Sequence, residues 1–180
     1  NEYPAVPEFS ETYRFSLTQG KLKKMLRKTL YAVSQNEAKK PILTGALFEI
    51  DTGVLSVVTT DTYRLAIIRE VVDSSLTPTS FVVPGYTLRE ILKVLKDGDE
   101  PVDIIVGDRH VMFDFGSYRV ITRLLDGKYI NYRPVLNTPN SITVRANARD
   151  LTDSLERAAL IIDDDMTAKA EKLPVILNIT

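Results

Sequence analysis

Asp61 near Arg64, and the run Asp163-Asp164-Asp165, are the residue sets whose types suggest carboxylate or metal chemistry. The Asp run follows a predicted helix and has neither the glycine nor the terminal glutamate of a calcium-binding loop. It is expected to be a solvated loop, and Asp61 a turn residue. His110 is the only histidine and stands in a predicted polar turn, so a catalytic role is not expected of it. Cysteine is absent. Disulfides, thiolate metal sites and cysteine nucleophiles are therefore excluded within these 180 residues. No catalytic residue, metal site or cofactor is expected.

Positive charge is the more informative pattern. Lys21, Lys23, Lys24, Arg27 and Lys28 stand together, with no acidic residue between Thr18 and Gln35. At about 100° per helical residue, Lys21, Lys24 and Lys28 share one face, and Lys23 and Arg27 widen it. A second basic set, Arg89, Lys93 and Lys96, is offset by Glu90. Rows of Lys and Arg attract phosphates without reading base sequence. RNA or an anionic membrane surface would fit the same charges, and a solvated helix face is the plain alternative. No exposed aromatic ladder of the kind that holds single strands accompanies them, which favours a duplex among nucleic acids. The formal net charge is −1, so any such contact must be a local patch.

These residues need elements to carry them. Hydrophobic residues make up 44% and charged residues 26%, values of a folded chain. No apolar run is long enough for a membrane span, and the start lacks signal-peptide character. The chain does not begin with Met, so Asn1 is not expected to be the natural start. Residues 1–11 read as a linker or edge segment. Tyr13, Phe15 and Leu17 alternate as in a half-buried strand. Thr18 is placed to cap a helix whose apolar stripe is Leu22, Met25, Leu26, Thr29, Leu30 and Val33. Pro41 marks a break. Strands are predicted over Leu43–Ile50, Val54–Thr60 and Arg64–Val71, with Asp51-Thr52-Gly53 as a turn. A short strand, Phe81–Val83, ends at Pro84. A second helix is predicted over about Thr87–Leu95, with Leu88, Ile91, Leu92 and Leu95 inward and Gly98 as its stop signal. Strands follow at Val102–Val106, Val111–Phe115 and Arg119–Leu124.

The order is strand, helix, three strands, written twice, which predicts an internally duplicated α+β unit. After the punctuated stretch 125–140 the opening pattern returns at an offset of 129 residues. Leu22 falls on Leu151, Leu26 on Leu155, Leu30 on Ala159, Val33 on Ile162 and Phe15 on Val144. A period this long means repeated domains. Pro174–Thr180 reads as the next strand of that second copy. So short a second copy buries little core, and the chain is expected to be a piece of a longer protein.

Three segments carry a family resemblance across essentially the whole chain. Thr59-Thr60-Asp61-Thr62-Tyr63-Arg64-Leu65-Ala66 resembles a signature of the middle domain of the bacterial DNA sliding clamp, the beta subunit of the replicative polymerase. Leu125-Asp126-Gly127-Lys128-Tyr129-Ile130-Asn131-Tyr132-Arg133-Pro134-Val135-Leu136 resembles its second signature. Pro41-Ile42-Leu43-Thr44-Gly45-Ala46-Leu47-Phe48-Glu49 is similar to a third segment, and the three are correctly ordered and spaced.

The resemblance implies a DNA-clamp fold, with residues 12–137 a complete middle domain and 138–180 the opening of the last domain. It implies a non-catalytic processivity factor: a homodimeric ring around duplex DNA, in the bacterial cytoplasm at the nucleoid. Such a ring tethers the replicative polymerase and meets the clamp loader through short peptide motifs. Carried over by motif, this side of the peptide cleft is Leu43, Thr60, Tyr63, Arg64, Leu65, Ile130 and Val135. Leu43, Leu65, Ile130 and Val135 would supply apolar pockets, and Thr60 and Arg64 polar handles. On the residues alone, those four are equally ordinary core, and Arg64 an edge-strand residue with its head in solvent. The DNA-facing set is Lys21, Lys24, Arg27, Lys28, Lys39, Lys40, Arg89 and Lys93.

Two departures stand out. Thr62 replaces the family's usual glycine and Ile130 a common proline. A β-branched residue at 62 implies a turn without positive φ there. The rest of the family's cleft lies late in the last domain, so a complete pocket is not expected in this chain. The isolated chain is expected to be a monomer. The rival readings are a protein-binding module without a DNA role and, behind it, an enzyme.

Overall fold

The computed structural model describes residues 10–35, 40–73, 75–137 and 143–164, with position 176. They divide into two compact units, 1–133 and 134–180. The first runs β1 (Glu11–Thr18), α1 (Gln19–Arg27), β2 (Gly45–Asp51), β3 (Val54–Thr60), β4 (Leu65–Val71), β5 (Thr79–Pro84), α2 (Gly85–Val94), β6 (Pro101–Gly107), β7 (His110–Asp114) and β8 (Arg119–Arg123). A one-turn helix, α3 (Arg133–Leu136), and then α4 (Ala148–Asp164) follow.

The duplicated pattern is present, with an exchange that periodicity does not reveal. One sheet has the order β1-β6-β7-β8 and the other β4-β3-β2-β5, with every pairing antiparallel. The leading strand of each half therefore joins the sheet of the other half. Neither half keeps its own sheet complete, so the two halves fold as one body around a shared core. That core takes Phe15 from β1, Leu22, Met25 and Leu26 from α1, Phe48 from β2, Phe81 from β5, Leu88 and Ile91 from α2, and Phe113 from β7. Phe48 and Phe81 sit opposite each other in register and stack with centroids 5.4 Å apart. Burying side chains of this size contributes about 1.5–3 kcal/mol each.

Local chemistry accounts for most boundaries. Thr18 Oγ1 accepts the main-chain N–H of Lys21 and caps α1, as its position predicts. The stripe from Leu22 to Val33 is buried throughout, but α1 ends at Arg27 and its last part turns as a 3-10 segment, Leu30–Ala32. The buried Thr29 hydroxyl donates to the Met25 carbonyl at 2.8 Å where the α-helix gives way. Leu43 lies in a second 3-10 turn, Pro41–Thr44, and not in the strand predicted from it. β2 starts at Gly45, where a Cβ would stand 2.6 Å from the Val83 carbonyl oxygen and 2.8 Å from Leu125 Cδ1. The Asp51-Thr52-Gly53 turn is present, with φ of 47° at Thr52 and 74° at Gly53.

Gly98 does not stop α2. The helix ends at Val94, and Leu95 turns to φ −65°, ψ 131° while remaining buried. Packing Leu95 into the core ends this helix, and the Gly98 carbonyl instead accepts the Gly20 N–H at 3.0 Å. His110 opens β7 opposite Arg123, so it is a strand residue and not a turn residue.

In the second unit, Asn147 Oδ1 accepts the N–H of Arg149 at 2.9 Å and of Asp150 at 3.4 Å, starting α4. The predicted strand around Val144 is absent at 143–147. Asp163 and Asp164 belong to α4 and do not follow it. Leu151, Leu155 and Leu160 on α4 are exposed. Most of residues 1–11, Ile142, Asp165 and nearly all of Pro174–Thr180 lie outside the described residues. Among the described residues no helix is long and apolar enough to cross a membrane.

Candidate functional site

The turn between β3 and β4 is built by its own side chains. Thr60 and Leu65 are paired at the base. Asp61 Oδ1 accepts the main-chain N–H groups of Tyr63 and Arg64, each at 3.1 Å, and Oδ2 accepts Arg64 Nε at 3.0 Å. Burial pushes the Asp61 carboxyl up, but the Arg64 and Tyr63 N–H groups and the Arg64 guanidinium outweigh it and hold the group below its ordinary value. Asp61 is thus a turn-building residue, as its position suggests. The Thr60 hydroxyl accepts the Thr62 N–H at 3.1 Å. Thr62 itself has φ 80°. This overturns the expectation drawn from its β-branched side chain. The two Asp61 bonds and the Thr60 bond over-determine the turn and hold a threonine where glycine fits without strain. At the tip Tyr63 is 93% exposed, and the Arg64 guanidinium lies 5.5 Å from the Tyr31 ring centre.

The segment Leu125–Arg133 covers one face of the β4-β3-β2-β5 sheet. Leu125 N–H donates to the Val82 carbonyl at 2.9 Å. Leu47, paired with both Val58 and Val82, is the centre of a second apolar cluster with Leu43, Tyr129 and Tyr132. Leu65 and Ile130 pack against its edge, half-buried. The structure thus brings together Leu43, Leu65 and Ile130 from three separate motifs, beside the buried Thr60. Leu43 is only 2% exposed and forms floor, whereas Leu65 and Ile130 reach the surface. Val135 belongs to the second compact unit, on α3, and is exposed.

Two tyrosines fasten this segment. The Tyr129 hydroxyl is buried and makes no hydrogen bond of ordinary geometry among the described residues. Burial pushes its pKa up to about 12, opposed only by the Thr60 main chain. The Tyr132 hydroxyl donates to Glu49 Oε2 at 2.6 Å, and Arg133 donates to Glu49 Oε1 at 2.9 Å. Burial, then the Glu49 carboxylate, pushes the Tyr132 pKa up to about 12. Beside them runs a groove of about 590 Å³, with Glu49, Lys128, Asn131 and Arg133 among its lining residues.

The basic residues divide by partner. Lys23 pairs with Asp97 at 2.7 Å, Lys24 with Glu70 at 2.9 Å, and Lys93 with Glu90 at 2.7 Å. Lys21, Arg27, Lys28, Lys40 and Arg89 are exposed and have no acidic partner among the described residues. Lys23, Lys24, Arg27 and Lys28 line one shallow groove of about 370 Å³ with Asp97. Lys39 lies outside the described residues.

Sequence reasoning passes over Glu49, Glu70, Asp97 and Tyr31. One signal for Glu49 was available. It stands two residues after Leu47 in a strand, so it shares the apolar face that Leu47 centres. A carboxylate there demands a partner. Nothing local pointed to the other three.

Residues 16–131 match the family described as DNA polymerase III beta subunit, central domain. A beta sliding clamp of Halalkalibacterium halodurans is 34% identical over 164 residues, covering 89% of this chain and 43% of that protein. A crystal structure of the DNA polymerase sliding clamp from Bacillus subtilis aligns with a TM-score of 0.81 at 30% identity, over 89% of this chain and 42% of the other. A sliding clamp from Pseudomonas aeruginosa bound to griselimycin aligns at a TM-score of 0.79 and 28% identity, over 88% and 43%. The chain spans less than half the length of these relatives. With this match over residues 16–131, and with two antiparallel four-stranded sheets around a shared core, the chain belongs to the DNA polymerase III beta subunit family through its central domain.

Proposed function

We propose that residues 12–137 act as the middle domain of a sliding clamp and that 138–180 open its last domain. The longer protein is a homodimeric ring around duplex DNA in the bacterial cytoplasm. It catalyses nothing itself and serves the DNA-directed DNA polymerase as an accessory subunit. The isolated chain is a monomer. The observation that carries the DNA reading is α1, whose inner face is buried core while Lys21, Arg27 and Lys28 stand exposed without acidic partners among the described residues. Such cations attract phosphates diffusely, which permits movement along the duplex.

The partner reading rests on the cluster of Leu43, Leu65 and Ile130 beside Thr60 and Arg64. Apolar pockets with a few polar handles suit a short peptide from the polymerase or the clamp loader. The Pseudomonas aeruginosa relative binds griselimycin, and seating of that compound on this cluster is part of the proposal, which makes it the probe.

The native protein that carries this chain should stay on circular DNA and slip off once the circle is cut. Retention on closed circles tests the ring; changing Lys21 and Lys28 to Glu tests the helix and should lower loading and the affinity for duplex at low salt without lowering the melting temperature. Unchanged loading and affinity would sink the DNA reading. The ion pairs of Lys23, Lys24 and Lys93, which neutralise part of the helix charge, favour the second reading, a peptide-binding module without DNA contact. That reading predicts griselimycin binding with no retention on circles.

A further inference from the structure

We infer that Glu49 is a positioning residue for the partner cleft: through Tyr132 and Arg133 it holds the segment that presents Ile130. This rests on the cleft reading above. Glu49 belongs to β2, flanked in register by Ser56 on β3 and Ser80 on β5. Its side chain is 20% exposed, so it is a largely buried carboxylate on the face whose next residue inward is Leu47. A carboxylate in that place requires compensation. Both oxygens are used, one by the Tyr132 hydroxyl at 2.6 Å and one by Arg133 at 2.9 Å. Arg133 also lies over the Tyr132 ring, 5.4 Å from its centre, which fixes the two donors relative to each other.

Ile130 lies between two anchors. Tyr129 immediately before it is buried against Leu43, Leu47 and Val58. Tyr132, two residues after it, is tied to Glu49. The intervening residues belong to no helix or strand, so no ladder of main-chain hydrogen bonds holds them. Their position is therefore set by side chains: the anchors at either end, and Asn131 Oδ1, which accepts the Arg133 N–H at 3.3 Å. The Glu49 contact therefore limits where Ile130 can stand when a ligand presses on it. Glu49 touches no ligand and acts only through the segment.

The test uses the native protein that carries this chain, with griselimycin as the probe and melting temperature measured in parallel. Arg64→Ala reports on the cleft directly. Glu49→Ala and Tyr132→Phe should each weaken binding by about tenfold, because the freed segment must then be ordered when the ligand binds. Glu49→Gln keeps an acceptor for Tyr132 and should recover most of the affinity. Tyr132→Phe removes one hydroxyl, so it serves if Glu49→Ala fails to fold. Its amide exchange should quicken at 129–132 and not in β2 or β3. If Arg64→Ala weakens binding while Glu49→Ala and Tyr132→Phe leave it unchanged, the positioning role is overturned and the cleft stands. If Arg64→Ala also leaves it unchanged, the cleft reading itself fails and takes this inference with it.

Discussion

Lys24 Nζ lies 2.9 Å from Glu70 Oε1, joining the middle of α1 to the end of β4, with Lys24 56% and Glu70 16% exposed. Spacing alone puts Lys24 on one helix face with Lys21 and Lys28, the row proposed above to meet DNA. Its charge is already shared with a carboxylate held closer to the protein interior. A phosphate must compete with Glu70 for it, whereas Lys21, Arg27 and Lys28 face no such competitor among the described residues. Removing Glu70 should therefore strengthen DNA binding. In Glu70→Gln the slope of log affinity against log salt should steepen by about one. Lys21→Gln, Arg27→Gln and Lys28→Gln should each flatten it by about as much, and Lys24→Gln by less. Titrations at several salt concentrations measure this directly, and equal effects of Lys24 and Lys28 would contradict it.

Thr62 carries the strain of the β3–β4 turn. At φ 80° an L-residue costs about 1–2 kcal/mol, and a glycine introduced there costs about 0.5–1 kcal/mol in unfolded-state entropy. Thr62→Gly keeps the N–H that donates to Thr60 Oγ1. The variant should be more stable by about 0.5–1 kcal/mol, read as a higher urea midpoint at unchanged slope. A lower midpoint would mean that the threonine side chain makes a compensating contact.

Tyr129 and Tyr132 should respond oppositely to loss of the hydroxyl. Tyr129→Phe removes a buried oxygen without an ordinary hydrogen-bond partner, and stability should hold or rise. Tyr132→Phe breaks the bond to Glu49 and should lower stability by about 1–3 kcal/mol. Both groups also set the alkaline limit. Their pKa values are about 12 in the folded chain against an ordinary 10, so between these values the unfolded chain has released protons that the folded chain still holds. Their contribution is complete below pH 10 and is lost as pH rises through about 12. Denaturation at several pH values should show that decline, and each Phe variant should show a shallower one.

Asp61 sets an acid limit with the reverse sign. Its carboxyl is held below the ordinary value of 3.8, so the unfolded chain binds the proton first as pH falls. The stability it contributes is complete above the unfolded value and is lost as pH falls through the lower folded one. Asp61→Asn retains an acceptor for the two N–H groups and loses the charge facing Arg64. It should melt below the wild type at pH 7, with the gap closing in acid. A constant gap at every pH would assign the effect to shape and not to charge.

Much of this protein is determined by short stretches of its sequence. β3 runs over Val54–Thr60 as predicted, Thr18 caps α1, and Asp51-Thr52-Gly53 turns. Each depends on residue types or on a cap a few residues away, so neighbours suffice. The signatures around Thr60–Leu65 and Tyr129–Tyr132 also point to the family before any folding is considered. Tertiary structure alone decided the rest. It exchanged β1 and β5 between the sheets, paired Lys24 with Glu70, and tied Tyr132 to Glu49 across 83 positions of chain. Periodicity reports which face of an element is apolar, but not which distant face covers it. That choice follows from the packing of the whole core, and the charges come to rest where the packing leaves them.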